Sequence, residues 1–176
     1  MTISAYHHKP TSTPDDSALC GAGGPALVVL DTNVVLDLLV FKDARASALH
    51  HSLVRGDLRW VATAAMFDEL ADVLARPNIL RRGADPAAVL DQVRTLVHAL
   101  VKPAAAAASH GPHSSTRAPR CADPDDQMFI DLAWACSAQW LFSRDRALLA
   151  LAKPARLRGV RIVAPEAWTQ TGCALT

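Results

Sequence analysis

The chain has 176 residues, a net charge of +1 and 51% hydrophobic residues. This composition fits one domain with a sizeable core and excludes a strongly acidic or basic polyelectrolyte. No apolar run approaches the roughly 18 residues of a membrane helix, and the N-terminus lacks the apolar core of a secretory signal peptide. We therefore expect a cytoplasmic protein.

Composition divides the chain into three parts. Residues 1–24 are rich in Ser, Thr, Pro, Gly and His and predict a flexible leader. Residues 171–176 are expected to form a short tail, which leaves a single domain over residues 25–170. The glycines at 21–24 precede a strand instead of following one, and this order argues against a dinucleotide-binding loop.

The first half of the domain predicts strands and helices in alternation. Residues 26–30, ALVVL, form a β-branched run typical of a strand buried on both faces. A helix is expected directly after Asp31. The other predicted elements up to residue 101 are a helix at 44–55, a strand at 58–63, a helix at 64–76 and a helix at 85–101.

The second half opens with an Ala/Pro/His-rich stretch at 103–119, which predicts mainly a loop with room for a short strand. The remaining predicted elements are a helix at 123–139, a strand at 140–145, a short helix at 146–152, a strand at 159–165 and a helical turn at 165–170. Strands that alternate with helices predict an α/β fold with a mostly parallel sheet.

Two acids follow predicted strands directly. Asp31 comes after ALVVL and Asp145 after WLFSR. In a parallel α/β sheet, ligands bind beyond the carboxyl ends of the strands, so these two carboxylates are candidates for a site. Each also fits an N-cap of the following helix, which is the commoner role for Asp at such a position.

Two more acids lie beside the apolar stripe of a predicted helix. At about 100° per residue, Glu69 flanks the stripe that contains Met66 and Leu70, while Asp68 points away from it. With Asp123 as N-cap and Pro124 at the first helical position, Asp126 falls at the third and faces inward. An ionised carboxylate near a core is costly unless something pairs with it.

The four acids Asp31, Glu69, Asp126 and Asp145 thus have reasons to converge. Four carboxylates in one cleft repel each other unless some are protonated or a cation lies among them. Ligands that are all oxygen favour Mg²⁺ or Mn²⁺. Such an ion lowers the pKa of bound water and stabilises the leaving oxygen of a phosphodiester. The pattern therefore predicts a metal-dependent nuclease.

Four segments in this order carry a family resemblance: residues 30–39 (LDTNVVLDLL), 62–77 (ATAAMFDELADVLARP), 121–133 (CADPDDQMFIDLA) and 141–151 (LFSRDRALLAL). They resemble the PIN domain, in particular the toxin components of toxin–antitoxin systems. With the closing segment VRIVAPEAW, the resemblance covers about residues 26–168. The long leader and the 103–119 stretch depart from it.

The resemblance implies a three-layer α/β/α sandwich and a divalent-metal ribonuclease that cleaves RNA. It assigns catalysis and metal binding to Asp31, Glu69, Asp126 and Asp145. It also implies a homodimer and a small antitoxin partner. The residues that it implies as support for the acids are Thr32, Asn33, Asp123 and Ser143.

Basic residues crowd the tract from Arg144 to Arg161, which suits a polyanion or an ordinary solvated surface. Arg144 stands where the family often has a small residue before its fourth acid. The cations that we expect to contact the RNA backbone are Arg144, Arg146, Arg156 and Arg158.

Two alternatives to a nuclease are open. One is a non-catalytic RNA-binding or protein-binding module on the same fold, although a degenerate site would be free to lose its acids. The other is a phosphatase with an aspartyl nucleophile. Such enzymes carry DxDxT after the first strand, and here Asn33 stands where the second Asp would act as general acid.

Overall fold

A computed structural model describes residues 24–102 and 118–169 of the chain. The predicted leader lies outside the described residues except for Gly24. So do the predicted tail and most of the 103–119 stretch. Within the described ranges, no helix is both long and apolar enough to span a membrane.

The described residues build one five-stranded sheet in which every pair of neighbouring strands is parallel. The strand order is β3-β2-β1-β4-β5, so β1 is central and pairs with both β2 and β4. The strands are β1 Ala26–Leu30, β2 Leu58–Ala62, β3 Val97–Leu100, β4 Trp140–Phe142 and β5 Arg161–Val163.

Helices connect the strands and cover both faces of the sheet. Short 3₁₀ turns at Ala44–Ala46 and Pro165–Ala167 accompany them. The α-helices are α1 Thr32–Leu39, α2 Ser47–Val54, α3 Ala64–Leu74, α4 Pro77–Leu80, α5 Pro86–Leu96, α6 Gln127–Ala135, α7 Arg146–Leu149 and α8 Ala152–Arg156.

The side chains of β1 divide between two apolar clusters. Val28 and Leu30 pack with residues of α1, α2, α3 and α5 on one face. Leu27 and Val29 pack with residues of α6, α7 and α8 on the other. Successive residues of a strand point to opposite faces, so β1 contributes to both. The predicted doubly buried strand and the three-layer α/β/α sandwich are confirmed.

The strand order places a crevice next to β1. From β1 the chain passes outward on one side through β2 and β3, and then returns to build β4 and β5 on the other side. At such a switch point the connections leave β1 and β4 in opposite directions, which opens a crevice beyond their carboxyl ends. Asp31 follows β1 and Asp145 follows β4, so both acids lie at this crevice.

One predicted helix proves too long. We expected a helix from 85 to 101, but α5 ends at Leu96 and residues Val97–Leu100 form β3. These four residues alternate between half-buried and exposed, and they pair with β2. The pairing with β2 satisfies backbone groups that a continued helix would otherwise have satisfied. Helix propensity is a property of neighbouring residues and carries no information about a partner strand as distant as β2.

Candidate functional site

Asp31 combines the two roles that the sequence left open. It is the N-cap of α1, and its Oδ1 accepts a hydrogen bond from the Asn33 N–H at 3.0 Å. Its backbone N–H donates to the Phe142 carbonyl at 3.0 Å, which fixes it against β4. The residue is only 2% exposed. The second oxygen, Oδ2, is not used by the cap and faces Ser143.

Ser143 links the ends of β1 and β4. Its hydroxyl donates to Asp31 Oδ2 at 2.6 Å and accepts from the Asp145 N–H at 2.9 Å. Asp145 is in turn the N-cap of α7 and accepts from the Ala147 N–H at 2.6 Å. Ser143 is fully buried. A hydroxyl has a single proton, so the direction of this chain of hydrogen bonds is fixed.

Glu69 lies on α3 where the helical angle predicts it. Met66 and Leu70 are buried, Glu69 is half-buried beside them, and Asp68 is exposed. One carboxylate oxygen of Glu69, Oε2, is buried and has no hydrogen-bond partner. The Glu69 carboxylate also forms a hydrogen bond with the Thr32 side chain, which lowers the pKa of Glu69. An unpartnered buried carboxylate oxygen is costly, and it is available to a cation.

Asp126 reaches the site by a different local route than predicted. We expected Asp123 to cap the helix and Asp126 to lie at its third position. Instead α6 begins at Gln127, and Asp126 precedes it without a side-chain capping bond. The Asp123 carboxyl accepts the Asp125 N–H at 3.0 Å and closes a local turn. The predicted helix start is therefore wrong. Asp126 still flanks the crevice, because α6 begins at the carboxyl edge of the sheet and runs towards the start of β4.

Electrostatic coupling shows that the acids lie near one another. The pKa of Asp126 is raised to about 7, mainly by burial and then by the charges of Asp145, Asp31 and Asp123 in that order. A hydrogen bond with Asp145 also favours the protonated form of Asp126. Like charges disfavour each other's ionised forms, so this end of the sheet holds more negative charge than it can stabilise alone.

Two other members of the site have a raised pKa. Burial is the main cause for Asp31. Hydrogen bonds from Ser143 and Asn33 oppose the increase, and the charge of Asp145 adds to it. Burial also raises the pKa of Glu69, against the hydrogen bond from Thr32, and the charge of Asp31 adds to it.

The supporting residues expected from the family resemblance have different placements. Thr32 and Ser143 are buried and contact Glu69 and Asp31 respectively. Asn33 is exposed and contributes its backbone N–H to Asp31. Asp123 is also exposed, and its charge acts on Asp126.

Arg144 binds three carboxylates that are not part of the four-acid site. Its guanidinium donates to Asp37 at 2.6 Å, to Glu166 at 3.0 Å and to Asp43 at 3.4 Å. Its side chain is 24% exposed. These contacts tie the turn between β4 and α7 to α1 and to the closing 3₁₀ turn. Arg144 therefore anchors the fold here, and its three partners were missed from the sequence.

The remaining predicted RNA contacts separate in space. Arg146 is exposed and opens α7 directly after Asp145. Arg156 ends α8, and Arg158 lies in the connection that leads to the start of β5. Parallel strands all start at the same edge of the sheet, so Arg156 and Arg158 lie towards the edge opposite the acids. The structure brings only Arg146 close to them.

The donor chemistry fits a divalent cation. The four candidate ligands are carboxylates, which suits Mg²⁺ or Mn²⁺. The unpartnered Glu69 Oε2 and the mutual repulsion that raises the pKa of Asp126 both favour an added positive charge. As they stand, no three His, Cys, Asp or Glu side chains within residues 24–102 and 118–169 are arranged to hold a metal ion.

The chain is an α/β domain with a parallel sheet between two helical layers and with acids at the switch point of that sheet. A family model described as PIN domain matches residues 27–147, and this chain belongs to that family. PIN domains are in general metal-dependent nucleases. Searches of curated proteins and of solved structures gave no significant match.

Neutralising Asp126 should stabilise the metal-free protein in a pH-dependent way. Its folded-state pKa of about 7 lies above the ordinary 3.8, so ionisation costs stability as pH rises from about 4 through 7. Asp126→Asn removes this cost. In EDTA, its melting temperature should exceed that of the wild type by a few degrees at pH 8. The difference should shrink towards pH 4, and an equal difference at both values would contradict the coupling.

Removing the Arg144 charge should destabilise the fold. Arg144→Met leaves three carboxylates without their shared cation, and charge-assisted hydrogen bonds contribute about 1.5–3 kcal/mol each. We expect a loss of about 1–3 kcal/mol in urea unfolding, since the group is partly exposed. Arg146→Met is the matched control, because this exposed neighbour should change stability by no more than about 0.5 kcal/mol. Equal losses in the two variants would refute the anchoring role.

Proposed function

We propose that this PIN domain is a divalent-metal-dependent endoribonuclease whose site consists of Asp31, Glu69, Asp126 and Asp145. The observation that carries the proposal is the charge coupling of acids from four separate segments at one end of the sheet. A purely structural fold has no reason to gather such charges, because each raises the cost of ionising the others.

Mg²⁺ or Mn²⁺ is the proposed cofactor, with the four acids as its ligands. When bound, such an ion supplies a water of lowered pKa and stabilises the oxygen that leaves the phosphodiester. The proposed ligands have unequal freedom. Asp31 is fixed by its cap and by Ser143, whereas Glu69 keeps an unpartnered oxygen that can bind a metal or orient a water.

The hydrogen-bonded chain through Ser143 positions the first acid. Because the Ser143 hydroxyl accepts the Asp145 N–H, its proton is directed to Asp31 Oδ2. This contact holds the Asp31 carboxylate in one orientation and lowers its pKa against the effect of burial. Asp31 is thereby kept closer to the ionised form that a metal requires. Arg146 is exposed beside Asp145, and we propose that it contacts a phosphate of the RNA.

We further propose that the protein is a toxin component, restrained by a small antitoxin, and that it acts as a homodimer in the cytoplasm. The support is the resemblance of its four motif segments to toxin members of the family. A small upstream reading frame with a DNA-binding pattern, whose product co-purifies with this chain, would support the pairing. Light scattering on the purified protein measures the oligomeric state.

The competing function is a regulatory module that binds RNA or protein without turnover. The two functions separate in one assay. A nuclease cleaves structured RNA in Mg²⁺ and stops in EDTA, whereas a binding module retains the RNA intact in both conditions. The presence of all four acids favours the nuclease.

Asp31→Asn should abolish cleavage while leaving the fold intact, since it removes a charge at nearly constant shape. We expect a rate below about 1% of the wild type in Mg²⁺, with an unchanged circular dichroism spectrum. Asp57→Asn is the matched control, because Asp57 is an exposed acid at the opposite edge, beside the start of β2. Full activity of the Asp31 variant would remove this residue from the site.

The neighbours Asp68 and Glu69 should behave differently. Glu69→Gln should reduce the rate sharply, and Asp68→Asn should change it little, because only Glu69 faces the crevice. Rescue of the Glu69 variant by high metal concentration would identify a ligand. A defect that persists at saturating metal would identify a residue that orients the attacking water. If Asp68→Asn reduced the cleavage rate more than Glu69→Gln, the proposed site would be on the wrong face of α3.

A further inference from the structure

Positive charge is concentrated in one segment of the chain. Residues 146–165 contain no acid, and all their cations are exposed. The segment carries +5 in a chain of net +1, so the rest carries −4. The cations are Arg146, Lys153, Arg156, Arg158 and Arg161.

Four of these cations lie on both sides of the edge strand β5, and we call this group the basic edge: Lys153, Arg156, Arg158 and Arg161. Arg161 opens β5 and pairs with Trp140, the first residue of β4. Asp31 lies one residue beyond Leu30, which pairs with Phe142. Arg161 and Asp31 are therefore three residues apart along the strand direction, about 10 Å at about 3.3 Å per residue. They are also two strands apart across the sheet, about 10 Å at about 4.8 Å per strand.

Aromatic rings support two cations of the basic edge. The Arg161 guanidinium lies over the Trp140 ring, 4.9 Å from its centroid. The Arg158 guanidinium lies over the Trp134 ring at 5.6 Å. A planar guanidinium stacked on a ring keeps its N–H groups at its rim, where they are available to phosphate oxygens. The stacking also reduces the conformational freedom that binding would otherwise remove.

The acid cluster cannot supply the affinity for a polyanion. Its carboxylates already repel one another, and they repel phosphates in the same way. Arg144 is bound to three carboxylates. By contrast, no ion pair among the described residues involves Lys153, Arg156 or Arg161. Lys153, Arg156 and Arg161, together with Arg146, are thus cations whose charge no ion pair among the described residues offsets.

We propose that the basic edge is a distal RNA-binding surface that holds the phosphate backbone away from the bond to be cleaved. The proposal rests on the proposed function for the identity of the substrate. Its consequence is a length requirement. An RNA that reaches only the acids gains nothing from this surface, while one that extends about 10 Å further along the flank of β4 and β5 gains its contacts.

The test uses the full chain and the double variant Arg156→Ser/Arg161→Ser. Binding of a structured RNA is measured in EDTA across a salt series, so cleavage plays no part. We expect affinity to fall about tenfold or more, and the slope of log K against log salt to decrease by about 1.4–1.8, at 0.7–0.9 per lost phosphate contact. Cleavage is then compared between this RNA and a trinucleotide. The preference for the long RNA should fall about tenfold.

Two further variants control for net charge and for folding. Arg81→Ser/Arg94→Ser removes the same two charges from exposed positions elsewhere and should retain most of the affinity and slope. Arg156→Lys/Arg161→Lys keeps the charges and should restore most of the binding. A Ser variant that matches the wild type in slope and affinity would overturn the proposal. The proposal would also be overturned by a loss of cleavage rate that is equal for the long RNA and the trinucleotide. Binding of an acidic peptide but not of RNA by the basic edge would overturn it as well.

The two proposals fail separately. Edge-dependent RNA binding in EDTA, with no cleavage by the wild type in Mg²⁺, would support the distal surface and refute the nuclease. Metal-dependent cleavage with no dependence on the edge would refute the distal surface and leave the nuclease standing.

Discussion

Repulsion among carboxylates at the carboxyl edge of the parallel sheet is the constraint on which the site depends. The sheet delivers Asp31 and Asp145 to the same crevice, and the helices α3 and α6 bring Glu69 and Asp126 beside them. Burial and mutual charge then raise the pKa of Asp126 to about 7. The fold tolerates this cost because backbone N–H groups at helix starts and the Ser143 hydroxyl stabilise two of the acids.

Capping and ligand binding are compatible roles for one aspartate. A carboxylate has two oxygens, and in Asp31 they are divided between the helix and Ser143. The cap uses Oδ1 and fixes the side chain, which orients Oδ2 towards Ser143. The commoner role of an Asp after a strand thus prepares it for the rarer one. The two roles are therefore not alternatives, because a cap holds the side chain in the fixed orientation that a binding site requires.

Local patterns predicted what is local and failed where distant partners decide. The buried run of β1, the parallel α/β class and the contrast between Glu69 and Asp68 follow from periods of two and 3.6 residues. The strand at Val97–Leu100 depends on pairing with β2, more than 30 residues earlier in the chain, whereas the local pattern predicts a helix there. The sequence predicts RNA contact for Arg144, because its three carboxylate partners come from distant segments and are not evident from its neighbours in the chain.

A net charge near zero conceals a strongly polarised molecule. Acids gather at the carboxyl edge of the sheet, and exposed cations lie towards the amino edge around β5. The proposed function imposes conflicting demands, since a catalytic end that holds a cation must be acidic while an RNA substrate is a polyanion. Separation of the two charges along the strands resolves the conflict, because screening at physiological salt limits each field to about 8 Å. The basic edge is offset from the acids by about 10 Å along the strands and by two strands across the sheet. This separation exceeds the screening length, so the acids do not neutralise the cations that would attract phosphates.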